Sequence, residues 1–235
     1  MSPGKPRVLV WDLPTRLFHW LLALSFIGAY ATADGERWRD VHVILGYTAG
    51  VLVLFRLAWG VVGTRYARFA EWKASPRRAL GYLRSLVSGR PEQHVGHNPA
   101  GSLAILGLIA LTLATVATGL ANYNEVGGGL LEEAHELLAN TMLALVVVHI
   151  AGVVVGSIVH RENLPGAMLT GRKRAAPEAA IKGTRPVAAA LLLALVLGLW
   201  AGVVPAPGLS APAELTSISA GPGANRYARA VRDDD

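Results

Sequence analysis

The apolar residues of the chain fall into five long runs: Leu17–Ala33, Val41–Gly63, Gly101–Tyr123, Ala134–Val159 and Val187–Val204. Each lies near the ~20 residues that a helix needs to cross a hydrocarbon core. In hydrocarbon every backbone N–H and C=O must be paired within its own segment, which selects helices. The first and fifth runs are short, and the fourth is long enough to tilt. Between the second and third, Pro76–Val87 sets Leu80, Tyr82, Leu83, Leu86 and Val87 beside Arg77, Arg78 and Arg84. That is the pattern of a short helix lying in the membrane interface. Pro205–Asp235 is rich in Pro, Ala, Gly and Ser and is expected to be poorly ordered.

Composition sharpens this pattern. Of 235 residues, 52% are hydrophobic and 16% charged, against about 25% charged in a soluble domain. The expected fold is all-α and integral to a membrane: four helices within residues 1–172, then a basic linker and a fifth transmembrane helix, 173–204, then an extracytoplasmic tail, 205–235. There is no cysteine, which excludes disulfides, thiolate metal sites, iron–sulfur clusters and covalent c-type haem.

The net charge of +6 is topological. Three basic residues precede the first run (Lys5, Arg7, Arg16), seven follow the second and six follow the fourth, together 16 of the 22 Lys and Arg, all on one side. The positive-inside rule then places the N-terminus in the cytoplasm and the C-terminus outside. No nucleic-acid partner is expected. Lys5 and Arg7 before an apolar run ending in "AYATA" resemble a signal peptide, but Asp12, Arg16 and His19 interrupt that run.

Candidate chemistry lies in the histidines. His135 and His149 are 14 residues apart. On a helix they differ by about 40° in direction and by roughly 21 Å along the axis, which suits two stacked sites and not one metal centre. His42 opens the second run on the side where His135 opens the fourth. His19 lies 14 residues before the outer end of the first run, at the depth of His149. Two layers result: His42 with His135 outside, and His19 with His149 inside. Two histidines on facing helices fit an iron held axially in a haem plane. Zinc usually takes three or four protein ligands, and no third is evident at either depth. Gly46 and Gly50, and Gly152 and Gly156, would let a flat ring approach, or would serve ordinary helix packing. Arg56 and Arg16 could pair with haem propionates or snorkel to lipid phosphate. His160 reads as a surface residue, and His94 and His97 as members of a solvated loop, with a quinone or propionate site as the alternative.

The stretches "WDLPTRLFHW", "HVILGYTAG" with "FRLAWG", "GHNPAG", "EEAHELLANTMLALVVVHIAG" and "HRENLPGAMLTG" resemble the bacterial cytochrome b561 and nickel–iron hydrogenase b-type cytochrome family, from about Val10 to Gly171. The resemblance implies a haem-binding four-helix bundle holding two haems b, with His19, His42, His135 and His149 as iron ligands. It implies electron transfer between the quinone pool of a respiratory chain and a periplasmic redox protein, such as a c-type cytochrome, a hydrogenase or another dehydrogenase. Bis-histidine iron has no open position, which favours a carrier over a stand-alone enzyme. The rival readings are a self-sufficient quinone-linked oxidase of superoxide and a haemless membrane scaffold. A homodimer is compatible with all three. The fifth helix has no counterpart in the simplest relatives.

Overall fold

The computed structural model describes residues 6–72 and 74–204. The tail from Pro205, expected to be poorly ordered, lies outside the described residues. Among the described residues the chain is all-α apart from one pair of three-residue strands. Seven helices follow in order: α1 Leu13–Ala31, α2 Arg39–Val62, α3 Pro76–Val87, α4 Pro99–Tyr123, α5 Gly128–Val159, α6 Leu164–Thr170 and α7 Pro186–Trp200.

The helix starts are written in local chemistry. Asp12 caps α1 by accepting the Thr15 N–H at 2.8 Å, with Pro14 in the first turn. Asn98 does the same for α4 through Gly101, at 2.7 Å beside Pro99. Both arrangements satisfy an N–H that would otherwise be orphaned. The caps start α1 four residues and α4 two residues earlier than hydrophobicity alone predicts, because polar first-turn residues carry no apolar signal.

The segments Glu36–Val62, Pro99–Tyr123 and Gly128–Val159 are long and apolar enough to cross a membrane. α1 has 19 residues and carries Arg16 and His19. α7 has 15 residues, about 22 Å of helix, short of the ~30 Å core. The five expected runs are thus five helices, two of them shorter than the rest. The expected interfacial helix forms over Pro76–Val87. It buries Ala79 and Tyr82 while Leu80, Leu83 and Val87 stay exposed on one stripe.

α1 packs on α2, α4 on α5, and α2 on α4. Phe18, Leu52, Val53 and Ile109 form the centre, and Leu192 and Val196 of α7 belong to the same cluster. Trp200 also donates through Nε1 to Thr48 Oγ1 at 3.0 Å. α7 is therefore built into the α1–α2 face. Among the described residues α1 and α5 do not pack extensively on each other. One bridge between them is Tyr30 Oη donating to Asn140 Oδ1 at 2.8 Å.

The segments outside the helices are more structured than a reading of plain loops allows. β1 (Arg7–Leu9) and β2 (Arg172–Arg174) pair antiparallel, with Val8 opposite Lys173. Lys173 is buried and donates to the carbonyls of Val95 at 2.8 Å and His94 at 3.3 Å. Three residues per strand carry too little alternation to register as strands in sequence, and tertiary packing supplies what propensity does not. The residue-172 boundary falls within β2, and Ile181 N–H and Leu13 N–H close the linker onto Leu9 O and Thr184 O.

Candidate functional site

His42 of α2 and His135 of α5 face each other with ring centroids 6.0 Å apart and planes at 73°. Each ring is held by the backbone of a third or fourth helix. His42 Nδ1 meets Ala29 O at 2.8 Å, in the last turn of α1, where that carbonyl also accepts the Thr32 N–H at 3.2 Å. His135 Nδ1 meets Thr115 O of α4 at 2.9 Å. A carbonyl can only accept, so both Nδ1 atoms carry the proton and donate it. Both Nε2 lone pairs are left for a ligand, the arrangement typical of metal-bound histidine.

The spacing can be tested against a metal. Metal–imidazole bonds run at about 2 Å, and a ring centre lies about 1 Å behind its nitrogen, so two rings on one ion sit about 6 Å apart. The observed separation meets this requirement. Among the described residues there is no group of three or more His, Cys, Asp and Glu that could hold a metal ion. The pair suits an ion whose other positions are filled by a macrocycle. Gly46, one turn from His42, has nothing within 4 Å of the position a Cβ would take, and the same holds for Gly152, three residues from His149. Both leave open space of the kind a flat ring fills. A Cβ at Gly50 would instead lie 3.1 Å from Val116 Cγ1, and one at Gly156 3.2 Å from Leu164 Cδ1.

Gly119 was invisible as a site residue in the sequence. A Cβ there would lie 2.8 Å from His135 Cε1 and 3.0 Å from its Nδ1. It sits one turn beyond Thr115, whose carbonyl anchors the ring. The bare backbone at 119 is what lets His135 reach that carbonyl. No local pattern marks this glycine, since the contact joins α4 to α5.

The other two candidate histidines, His19 of α1 and His149 of α5, lie toward the other end of the bundle. His19 Nδ1 is buried without a hydrogen-bond partner among the described residues. Arg56 is 2% exposed, and its guanidinium lies over Phe69 and Trp72 at 4.8 and 5.0 Å. Arg56 Nη2 donates to Ala67 O at 2.9 Å, while Nη1 is buried and unpartnered among the described residues. Arg16 donates through Nη2 to Leu169 O at the end of α6, and its buried Nε has no partner there.

His97 corrects the solvated-loop expectation. It is wedged between Trp11 and Trp72, with ring centroids 4.6 Å from each, and its Nδ1 is sealed from solvent without a partner among the described residues. Burial pushes its imidazole down to about 3, with Arg56 and Lys173 acting in the same direction and His149 and His19 following. A pocket of about 380 Å³ lies against it, walled by Tyr66, Trp72, His94 and Val95 among others. His160 is not a free surface residue either. Its Nε2 meets Tyr82 Oη at 3.0 Å and its Nδ1 meets Gln93 Nε2 at 3.3 Å, which ties α3 to the end of α5.

Asp12 secures this end from below. It is 1% exposed. Beyond its capping bond, Oδ2 accepts from Thr64 Oγ1 at 2.5 Å and from Trp59 Nε1 at 3.1 Å. The carboxylate thus joins α1 to the end of α2, within the "WDLP" stretch.

The chain is similar to several curated proteins. It is 29% identical over 141 residues to the probable Ni/Fe-hydrogenase 1 B-type cytochrome subunit of Escherichia coli K12, covering 49% of this chain and 60% of that protein. It is 32% identical over 146 residues to the probable Ni/Fe-hydrogenase B-type cytochrome subunit of Azotobacter vinelandii, covering 50% and 60%. The subunit so named from Bradyrhizobium diazoefficiens is 27% identical over 217 residues, covering 73% and 87%. The chain thus spans about three fifths of the length of the first two relatives. No solved structure matches it. Residues 10–171, which carry all four candidate histidines, match the family described as prokaryotic cytochrome b561, and the chain belongs to that family.

Proposed function

We propose that this chain is a membrane b-type cytochrome that carries electrons across the bilayer through two haems b, one between His42 and His135 and one between His19 and His149. The observation that carries the reading is the His42–His135 pair: rings 6.0 Å apart, each Nδ1 committed to a backbone carbonyl, each Nε2 free. When bound, haem iron supplies a one-electron couple. The chain's own residues do the rest. Ala29 and Thr115 carbonyls fix the ligand tautomers, Gly46 and Gly152 leave room beside the rings, and apolar walls exclude water. Arg56 Nη1 and Arg16 Nε are buried donors without a partner among the described residues, placed to take carboxylate oxygens of the group. Two protein ligands per iron leave no site for substrate at the metal.

The electrons run between the quinone pool and a periplasmic redox protein. A hydrogenase is the partner favoured by the names of the similar proteins, with a c-type cytochrome as the alternative. The basic connections set the orientation, N-terminus in the cytoplasm of a bacterial inner membrane.

The test is a haem count. Pyridine haemochrome analysis of the purified protein is expected to give two haems b per chain. His42→Ala and His149→Ala are each expected to give one and to abolish transmembrane electron flow in vesicles. Full haem content in either variant, or none in the wild type, would overturn the assignment.

A further inference from the structure

At the far end of α5 from the His42–His135 pair, the chain builds a pocket that electron transfer does not use. It encloses about 330 Å³ and is lined by Arg7, Arg161, Arg172 and Arg174, with Glu162 and Thr170 in its wall. The strand register brings three of these arginines together. Arg7 stands directly opposite Arg174, and Arg172 projects from the same face of the ladder two residues away. Like charges directly opposed across a ladder destabilise it. Arg161 adds the fourth from a left-handed backbone, φ 50°, a conformation that a non-glycine residue holds only where its surroundings impose it.

Among the described residues lining the pocket, these four guanidiniums face a single carboxylate, Glu162, which leaves the site positively charged. Among the described residues the carboxylate ion pairs lie elsewhere, Arg65 and Arg68 with Glu71 and His94 with Glu92. Glu162 spends Oε1 on the backbone N–H of Arg174, at 2.7 Å. The pocket adjoins apolar surface: Val154, Val155 and Ile158 on the last turns of α5 are exposed, as is Leu169 of α6. A membrane-crossing helix ends here, so that apolar surface meets lipid and the arginines meet headgroups.

We propose that this pocket binds the phosphate headgroup of an anionic glycerophospholipid, whose acyl chains lie along Val154, Val155, Ile158 and Leu169. Arginine forks match phosphate oxygens in shape and charge, and basic pockets at the ends of membrane helices take anionic headgroups. A bound phosphate would turn the Arg7–Arg174 opposition into a bridge and clamp β1, β2 and the end of α5 together. The proposal rests on the reading that α5 crosses a bilayer, and not on the cofactor.

The test uses the full chain, purified in detergent and delipidated. Bound lipid is counted by native mass spectrometry, and unfolding is followed by thermal denaturation. Phosphatidylglycerol is expected to bind at about one molecule per chain and to raise the melting temperature, whereas phosphatidylcholine and inorganic phosphate at matched concentration do neither. The double variant Arg7→Gln/Arg174→Gln is expected to weaken phosphatidylglycerol binding at least tenfold. Without lipid it should melt no lower than wild type, because the like-charge opposition is gone. Arg161→Gln alone should weaken binding several-fold. Arg77→Gln/Arg78→Gln removes the same charge from α3 and should leave binding intact. Equal binding by wild type and Arg7→Gln/Arg174→Gln, an equal loss in Arg77→Gln/Arg78→Gln, or stabilisation by inorganic phosphate as large as by the lipid would overturn the proposal. Haem per chain is measured on the same samples. A deficit in the wild type would count against the haem assignment while leaving the lipid result standing.

Discussion

Gly119→Ala offers the sharpest test of how the outer site is built. The new Cβ would stand 2.8 Å from His135 Cε1, and ordinary contact begins at 3.4 Å, so the ring has to retreat by about 0.6 Å. That movement stretches the Nδ1–Thr115 O hydrogen bond, now 2.9 Å. Losing the bond costs about 0.5–1.5 kcal/mol, and overpacking costs about 1–3 kcal/mol. Replacing a helical glycine by alanine returns about 1 kcal/mol. The net is about 0.5–3.5 kcal/mol against the liganding geometry, or roughly 2- to 400-fold in affinity. This range brackets the 10- to 100-fold typical of lost outer-shell partners of a metal ligand. The assay is titration of cofactor-free protein with haem, followed by Soret absorbance, with His149→Ala as background so that only the outer site reports. Gly46→Ala makes the contrast. Its Cβ meets nothing within 4 Å in the protein, so it should leave the fold intact and lower haem affinity only by filling the ring's space. Wild-type haem affinity and dissociation rate in Gly119→Ala would refute the argument that the bare backbone seats His135.

Three further outcomes are expected. Asp12→Ala removes a helix cap and strands the Trp59 and Thr64 donors; it should destabilise the protein by about 3–5 kcal/mol in denaturation measurements in detergent, and a change under 1 kcal/mol would contradict the role given to it. His97 sits folded at about 3 against an ordinary 6.5, so the unfolded chain binds more protons between those values, and stability present above pH 6.5 is lost as pH falls. Going from pH 7 to pH 5 should cost about 2 kcal/mol from this residue, and His97→Gln should remove that share of the pH dependence. Leu192→Ala, at a fully packed position where α7 meets α1 and α2, should cost about 2–4 kcal/mol; an unchanged melting temperature would mean that α7 is only an outer anchor.

Much of the helical scaffold was legible because hydrocarbon permits few solutions. Long apolar runs become helices wherever they fall, and Pro76–Val87 was readable because its arginines and leucines alternate with helical period. The nearness of His42 to His135 was legible because each opens its apolar run on the same side, so the two share a depth. His97 was misread because a histidine near Pro99 in a Gly-containing loop looks solvated, while the tryptophans that bury it come from residues 11 and 72.

By itself the sequence determined the class of molecule and the approximate extent of the apolar helices, and it brought His42 and His135 to the same end. These follow from local quantities: hydrophobicity, helical period and capping residues. Only the tertiary structure decided which carbonyls hold the Nδ1 atoms, that Gly119 makes way for His135, that α7 belongs to the core, and that β1 and β2 draw Arg7 and Arg174 face to face. Each of these joins residues far apart in the chain, through contacts that have no period and no signature within any one segment.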